Sequence, residues 1–172
     1  MIPEYMKYYT HCIVIGLVII LGSITTAFGD NILPDPVLTP GKTYTTDANV
    51  ACKAHTGSES DSIRNVPESE KQDVFRVYHT TNHTGICKVK GCEVDHLISI
   101  KLGGSNDKEN LWIQSYDGKW NAIDKDNLEK RLIARVCRVS KKHPIKLDLK
   151  VAQDAINKNW IEAYIKYVTN NQ

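Results

Sequence analysis

Glu93-Val94-Asp95-His96-Leu97-Ile98, followed by Leu102-Gly103-Gly104-Ser105-Asn106-Asp107 and then Asn110-Leu111-Trp112, is the stretch on which the fold turns. Val94, Ile98 and Ile100 alternate at period two, which predicts a strand over Val94 to Leu102 with His96 on the same face. Gly103-Gly104 admits the positive φ of a tight reversal, and Leu111 to Ile113 is the expected returning strand. From Lys119 onward, Trp120, Ile123, Leu128, Leu132, Ile133 and Val136 recur at helical spacing, with Lys and Arg on the other face. That pattern predicts a helix running to about Arg138. Strand, reversal, strand and helix in that order define an α+β domain built on a two-stranded antiparallel hairpin.

Outward from this unit the chain offers two more helices. Pro67 suits a first helical position, and Glu68 and Glu70 fall in the first turn, where the helix dipole favours anions. A helix over 67–79 follows, burying some of Val74, Phe75, Val77 and Tyr78. Leu149, Ala152, Ile156, Trp160, Ala163 and Tyr167 form the clearest amphipathic stripe in the chain, and it reads as core. Residues 30–50, with Pro34, Pro36, Pro40 and Gly41 and no apolar period, read as an extended leader to a domain over 51–172. The tryptophans Trp112, Trp120 and Trp160 are expected in the core. His55, His79, His83 and His143 lack metal-ligand spacing, and Asn82-His83-Thr84 is a glycosylation acceptor pattern.

Residues 1–29 differ from the rest. Ile13 to Leu21 is a charge-free apolar run with Lys7 before it and small residues behind it at Ala27 and Gly29. The run is shorter than the roughly 20 residues that span a bilayer, so it reads as a secretory signal peptide. The alternative is an uncleaved N-terminal anchor, the one circumstance that would bring the chain to a membrane. The expected location is therefore outside the cytoplasm, secreted or periplasmic, or anchored by this segment.

Beyond residue 29 four cysteines remain, Cys52, Cys87, Cys92 and Cys137. An even count in an exported chain suggests two disulfides. Three pairings are possible; the expectation is Cys87 with Cys92, closing a short link, and Cys52 with Cys137. A zinc held by four cysteines usually shows two Cys-x-x-Cys pairs, and the sequence has none. Charge is balanced overall at +2, but Lys119 to Lys150 holds ten Lys or Arg against four Asp or Glu. A solvated helix face explains such a run by itself, and clustered cations also steer phosphates.

The joined pattern resembles the HNH (ββα-metal) nuclease motif. From Cys52 to about Tyr164 the chain also resembles a group of small exported HNH-type proteins of bacteria. The landmarks are Cys52, Arg64-Asn65-Val66-Pro67, Val94-Asp95-His96-Leu97-Ile98, Leu102 to Asp107, Asn110-Leu111-Trp112, Lys125-Asp126-Asn127-Leu128-Glu129, Cys137, Ala152-Gln153 and Trp160. The resemblance implies a ββα-metal core with flanking helices, a base at His96 and one divalent metal held by Asp95 and Asn121. Asn110 would pin the hairpin and orient His96. Lys125, Arg131 and Arg135 would contact phosphates. Glu93 would bond locally or pair with a helix cation. Where many relatives carry a ligand His on the helix, this chain offers Asn121 or Ile123, and Ile123 cannot ligate.

An imidazole of ordinary pKa near 6.5 is mostly neutral at pH 7, as a base that activates water must be. A carboxylate and an amide oxygen are hard donors that suit magnesium or manganese, completed by waters. The function so implied is a metal-dependent endonuclease acting on DNA, and on RNA by the same backbone chemistry, with little sequence specificity and scope for a cognate inhibitor. The alternative is a catalytically inactive exported nucleic-acid-binding protein on the same scaffold.

Overall fold

The computed structural model describes residues 32–56, 64–81, 87, 89–138 and 146–170. The signal-peptide or anchor segment 1–29 lies outside them, as do His83, His143, the Asn82 acceptor pattern and the side chain of His55. In chain order the elements are α1 (Ala48–Thr56), α2 (Glu68–Val77), β1 (Cys92–His96), β2 (Leu111–Ser115), α3 (Ala122–Cys137) and α4 (Leu149–Tyr164), closed by a π-helical turn, Ile165–Thr169. The architecture is α+β. The strands pair antiparallel from Cys92 with Ser115 to His96 with Leu111.

β1 stops at His96, six residues short of the strand expected from periodicity. The cause is a side chain. Asn110 Nδ2 donates to the carbonyls of Ile98 (2.9 Å) and Ser105 (2.8 Å), and its Oδ1 accepts from Ile98 N (2.9 Å). A carboxamide thus takes over the partners that the ladder would have supplied, and residues 97–110 become a wide, doubly turned loop. Gly103 in that loop has φ +82°. A Cβ on Gly104 would lie 1.7 Å from the Ile98 carbonyl oxygen, so only glycine fits.

α3 starts at Ala122 because Asn121 caps it: Asn121 Oδ1 accepts from Ile123 N (2.9 Å) and Asp124 N (3.2 Å). Asp124 Oδ2 in turn accepts from Asn121 N and from Trp120 N, a reciprocal box that ties off the first turn. The helix buries Ala122, Lys125, Leu128, Leu132, Ile133 and Val136. Ile123, counted in the apolar stripe on sequence grounds, is 58% exposed, and Lys125 takes the buried place instead.

α4 buries all five apolar positions expected of it, and Tyr167 follows in the closing turn. The helix is broken at Asn159, whose extended backbone (φ −169°) lets its Oδ1 accept from Ile161 N and Glu162 N and cap a second segment. The main core joins α1, α3, α4 and the 97–102 loop, with Trp112 and Trp160 fully buried. Trp120 packs edge-on against Trp160 and Tyr164. A smaller cluster of Val74, Cys92, Leu111 and Ile113 seats α2 on the hairpin.

The segment read as a leader is built into the domain. Trp160 Nε1 donates to the Ile32 carbonyl (3.0 Å), and Gly41 N donates to Glu109 O (2.8 Å). Buried Thr39 donates through Oγ1 to Leu111 O (2.7 Å), leaving its oxygen to accept from the Tyr78 hydroxyl (2.7 Å). α1, which the sequence reading did not foresee, carries Cys52. The disulfides are Cys52–Cys137 and Cys87–Cys92, bonds suited to an oxidising, extracellular-type environment. No helix among the described residues is long and apolar enough to cross a membrane.

Candidate active site

The end of β1 meets the first two turns of α3 beside a pocket of about 340 Å³. Asp95 and His96 arrive from the strand, Glu129 and Lys130 from the helix, and Arg64 from the segment before α2. His96 is 3% exposed. Its Nε2 lies 2.9 Å from Asn106 Oδ1. An amide oxygen only accepts, so Nε2 carries the proton, and Nδ1 is the ring's basic nitrogen. Burial lowers the pKa of His96; the Asn106 bond and Asp95 oppose that, and Arg64 and Lys125 add to it. Burial thus favours the neutral imidazole.

Asp95, 8% exposed, is bracketed by cations. Lys125 Nζ donates to its Oδ2 at 2.6 Å, and Arg64 Nη2 donates to its Oδ1 at 3.3 Å. Lys125 spends its other two protons on the His96 carbonyl (2.6 Å) and Glu129 Oε1 (2.5 Å). Burial alone would push the Lys125 ammonium toward deprotonation, but Asp95 and Glu129 outweigh it and raise its pKa. Burial raises the Glu129 carboxyl, against the pull of Lys125. Glu93, two residues before Asp95, accepts from the Tyr116 hydroxyl (2.7 Å). Burial, with the Glu93 bond added to it, pushes Tyr116 up to about 12.

Of the residues singled out in the sequence, the structure brings Asp95, His96 and Lys125 together. Asn110 is fully buried and holds the loop behind them; its carbonyl accepts from Leu97 N (2.7 Å), and the His96 ring is held by Asn106 instead. Lys125 is 1% exposed and locked between carboxylates, so it is not a phosphate contact. Arg131 Nε donates to Tyr167 O (3.2 Å) and Arg135 lies over the Tyr167 ring, on the face of α3 turned to the end of α4. The cations that line the pocket are Arg64, Lys101, Lys130 and Arg138.

A divalent ion held by Asp95 and Asn121 does not fit this arrangement. Both Asp95 oxygens face cations, the Asn121 oxygen is used twice in the cap, and Asn121 Nδ2 donates to Gly118 O (2.9 Å). Among the described residues no group of three His, Cys, Asp or Glu is placed to hold a metal. The sequence reading missed Asn106, Glu129 and Arg64 as site residues. Lys125 and Glu129 carried one usable signal: spaced four apart, they fall with Ala122, Leu128 and Leu132 on one helical stripe. Compared with family models, with curated proteins and with solved structures, the chain finds no match in any of the three.

Proposed function

We propose that this chain is a phosphodiesterase acting on the nucleic-acid backbone, with His96 as the general base. The observation that carries the reading is a buried imidazole, its neutral form favoured by burial, held through Nε2 by Asn106 in the wall of a pocket that Arg64, Lys101, Lys130 and Arg138 line together with Asp95, Asp126 and Glu129. Water attacks phosphorus and gives its proton to Nδ1, the P–O3′ bond breaks, and the departing oxygenate takes a proton from solvent. The pocket cations offset the charge that builds on the phosphoryl oxygens. Binding would rest on phosphate contacts and weaken steeply with salt.

Purified protein incubated with plasmid DNA or with RNA, with magnesium, manganese or chelator, tests this. Wild type should cleave, and His96→Ala should lose about 10²–10⁴ in rate, the usual worth of a general base. Equal cleavage by both would refute the base assignment. The chelator arm tests the metal dependence that the resemblance implies. The commitments of Asp95 and Asn121 favour one second reading, a non-catalytic nucleic-acid-binding protein on the same scaffold. Salt-sensitive retention of nucleic acid with no cleavage under any ion would select it.

A further inference from the structure

Lys125 stands where an amphipathic helix places a leucine, fully out of water, and carries a charge there. Its three N–H bonds end on three oxygens, two from the end of β1 and one from the next turn of α3: the Asp95 carboxylate, the His96 backbone carbonyl and the Glu129 carboxylate, at 2.6, 2.6 and 2.5 Å. A burial of this kind is tolerated only when every proton of the ammonium is matched. The three acceptors, all oxygen and mixing carboxylate with backbone carbonyl, are the donor set that hard cations take. Oxygen ligands approach calcium at about 2.3–2.6 Å, close to the spacing seen around Nζ.

We infer that the oxygens of Asp95, His96 and Glu129 form a cation site whose resident ion is the chain's own Lys125 ammonium. A divalent ion is excluded from this cage in the wild-type protein and enters it once the lysine side chain is removed. With Nζ in place, two carboxylates face one buried cation, and Arg64 attends the second Asp95 oxygen. Without it, two buried carboxylates and a carbonyl surround a hole the size of a butylammonium chain, and their repulsion is relieved only by a new cation or by protonation.

Manganese and calcium are the probes, and melting and ion binding report on the cage whether or not the chain cleaves nucleic acid. Chelator-treated wild type should bind no manganese tighter than millimolar, read from the free-ion paramagnetic resonance signal, and its melting temperature should not respond. Lys125→Ser should melt lower in chelator, bind one manganese ion and recover stability with manganese or calcium. Adding Glu129→Gln to that variant should weaken the ion about tenfold or more, since ligand charge sets affinity in such sites. A Lys125→Ser chain that folds and gains no ion affinity would overturn the assignment. A measurement on the wild type stands independently of how the variant folds. The Lys125 ammonium proton resonances should be protected from exchange and keep their linewidth in millimolar manganese. Broadening there would put a second cation against the same oxygens, and fast exchange would mean that the cage is open; either result overturns the assignment.

Discussion

Because His96 is buried with its neutral form favoured, its pKa lies below that of the same residue in the unfolded chain, about 6.5. Between the two values the unfolded chain binds a proton that the folded one refuses. The His96 contribution to stability is therefore complete above pH 6.5 and falls as pH drops through 6.5 toward the folded value. The same shift sets the activity: kcat/KM should hold down to below pH 6.5 and then fall as the base protonates. Asn106→Asp puts a carboxylate on the Nε2 proton and should move that acidic limb to higher pH; a limb that stays put would show that Asn106 does not govern the ring. Asn121 poses a different question. Asn121→Ser keeps a capping oxygen and should cost only a few tenths of a kcal/mol in melting experiments, with cleavage retained. Loss of cleavage without loss of stability would restore Asn121 as a ligand. His96 and Asp95 were legible as a pair in the sequence. The role of Asn106 is not legible in the sequence, because nothing in a one-dimensional pattern says which loop side chain reaches the ring.

At the level of elements, the Asn110 carboxamide crosses the 97–110 loop and joins its two sides. Asn110→Ala leaves the Ile98 N–H and the Ile98 and Ser105 carbonyls buried without that partner. Each unsatisfied group costs about 1–3 kcal/mol, so denaturant titration should show a loss of about 3 kcal/mol or more. A loss under about 1 kcal/mol would mean that water replaces the amide and that the loop is not built on it. The hairpin, α3 and α4 were readable from periodicity and α2 from its N-terminal signals, and α4 almost residue for residue, since a long stripe at period 3.6 has few competing explanations. β1 was drawn too long because Val94, Ile98 and Ile100 keep their apolar alternation through a segment that is no longer paired. α1 went unseen because its inward residues among those described, Ala48, Ala51 and Cys52, are small and give hardly any periodic hydrophobic signal. Lys125 was assigned to the solvent face with its neighbouring cations, and its burial follows from two carboxylates that only the folded chain brings near.

In the molecule as a whole the two disulfides do unequal work. Cys52–Cys137 closes a loop of 85 residues and fastens α1 to the end of α3; Cys87–Cys92 closes one of 5. Chain entropy gives about 4–5 kcal/mol for the long loop and about 2 kcal/mol for the short one. Cys52→Ala with Cys137→Ala should therefore lower stability by about twice as much as Cys87→Ala with Cys92→Ala, measured by urea titration under oxidising conditions. Equal losses would mean that native strain, not loop length, decides. Both pairings were anticipated from cysteine positions, whereas the proline-bearing segment before α1 was not recognised as part of the domain. Its anchors are backbone carbonyls and one threonine hydroxyl, which no hydropathy pattern reveals.

That anchoring sets a boundary on proteolytic maturation. A cut at residue 30 keeps the Ile32 carbonyl that receives the indole proton of Trp160. A cut at residue 34 strands that proton at the heart of the largest apolar cluster and strips Leu33 from its flank. Any enzyme that trimmed this polypeptide would have about two residues of latitude before it removed the carbonyl that Trp160 uses.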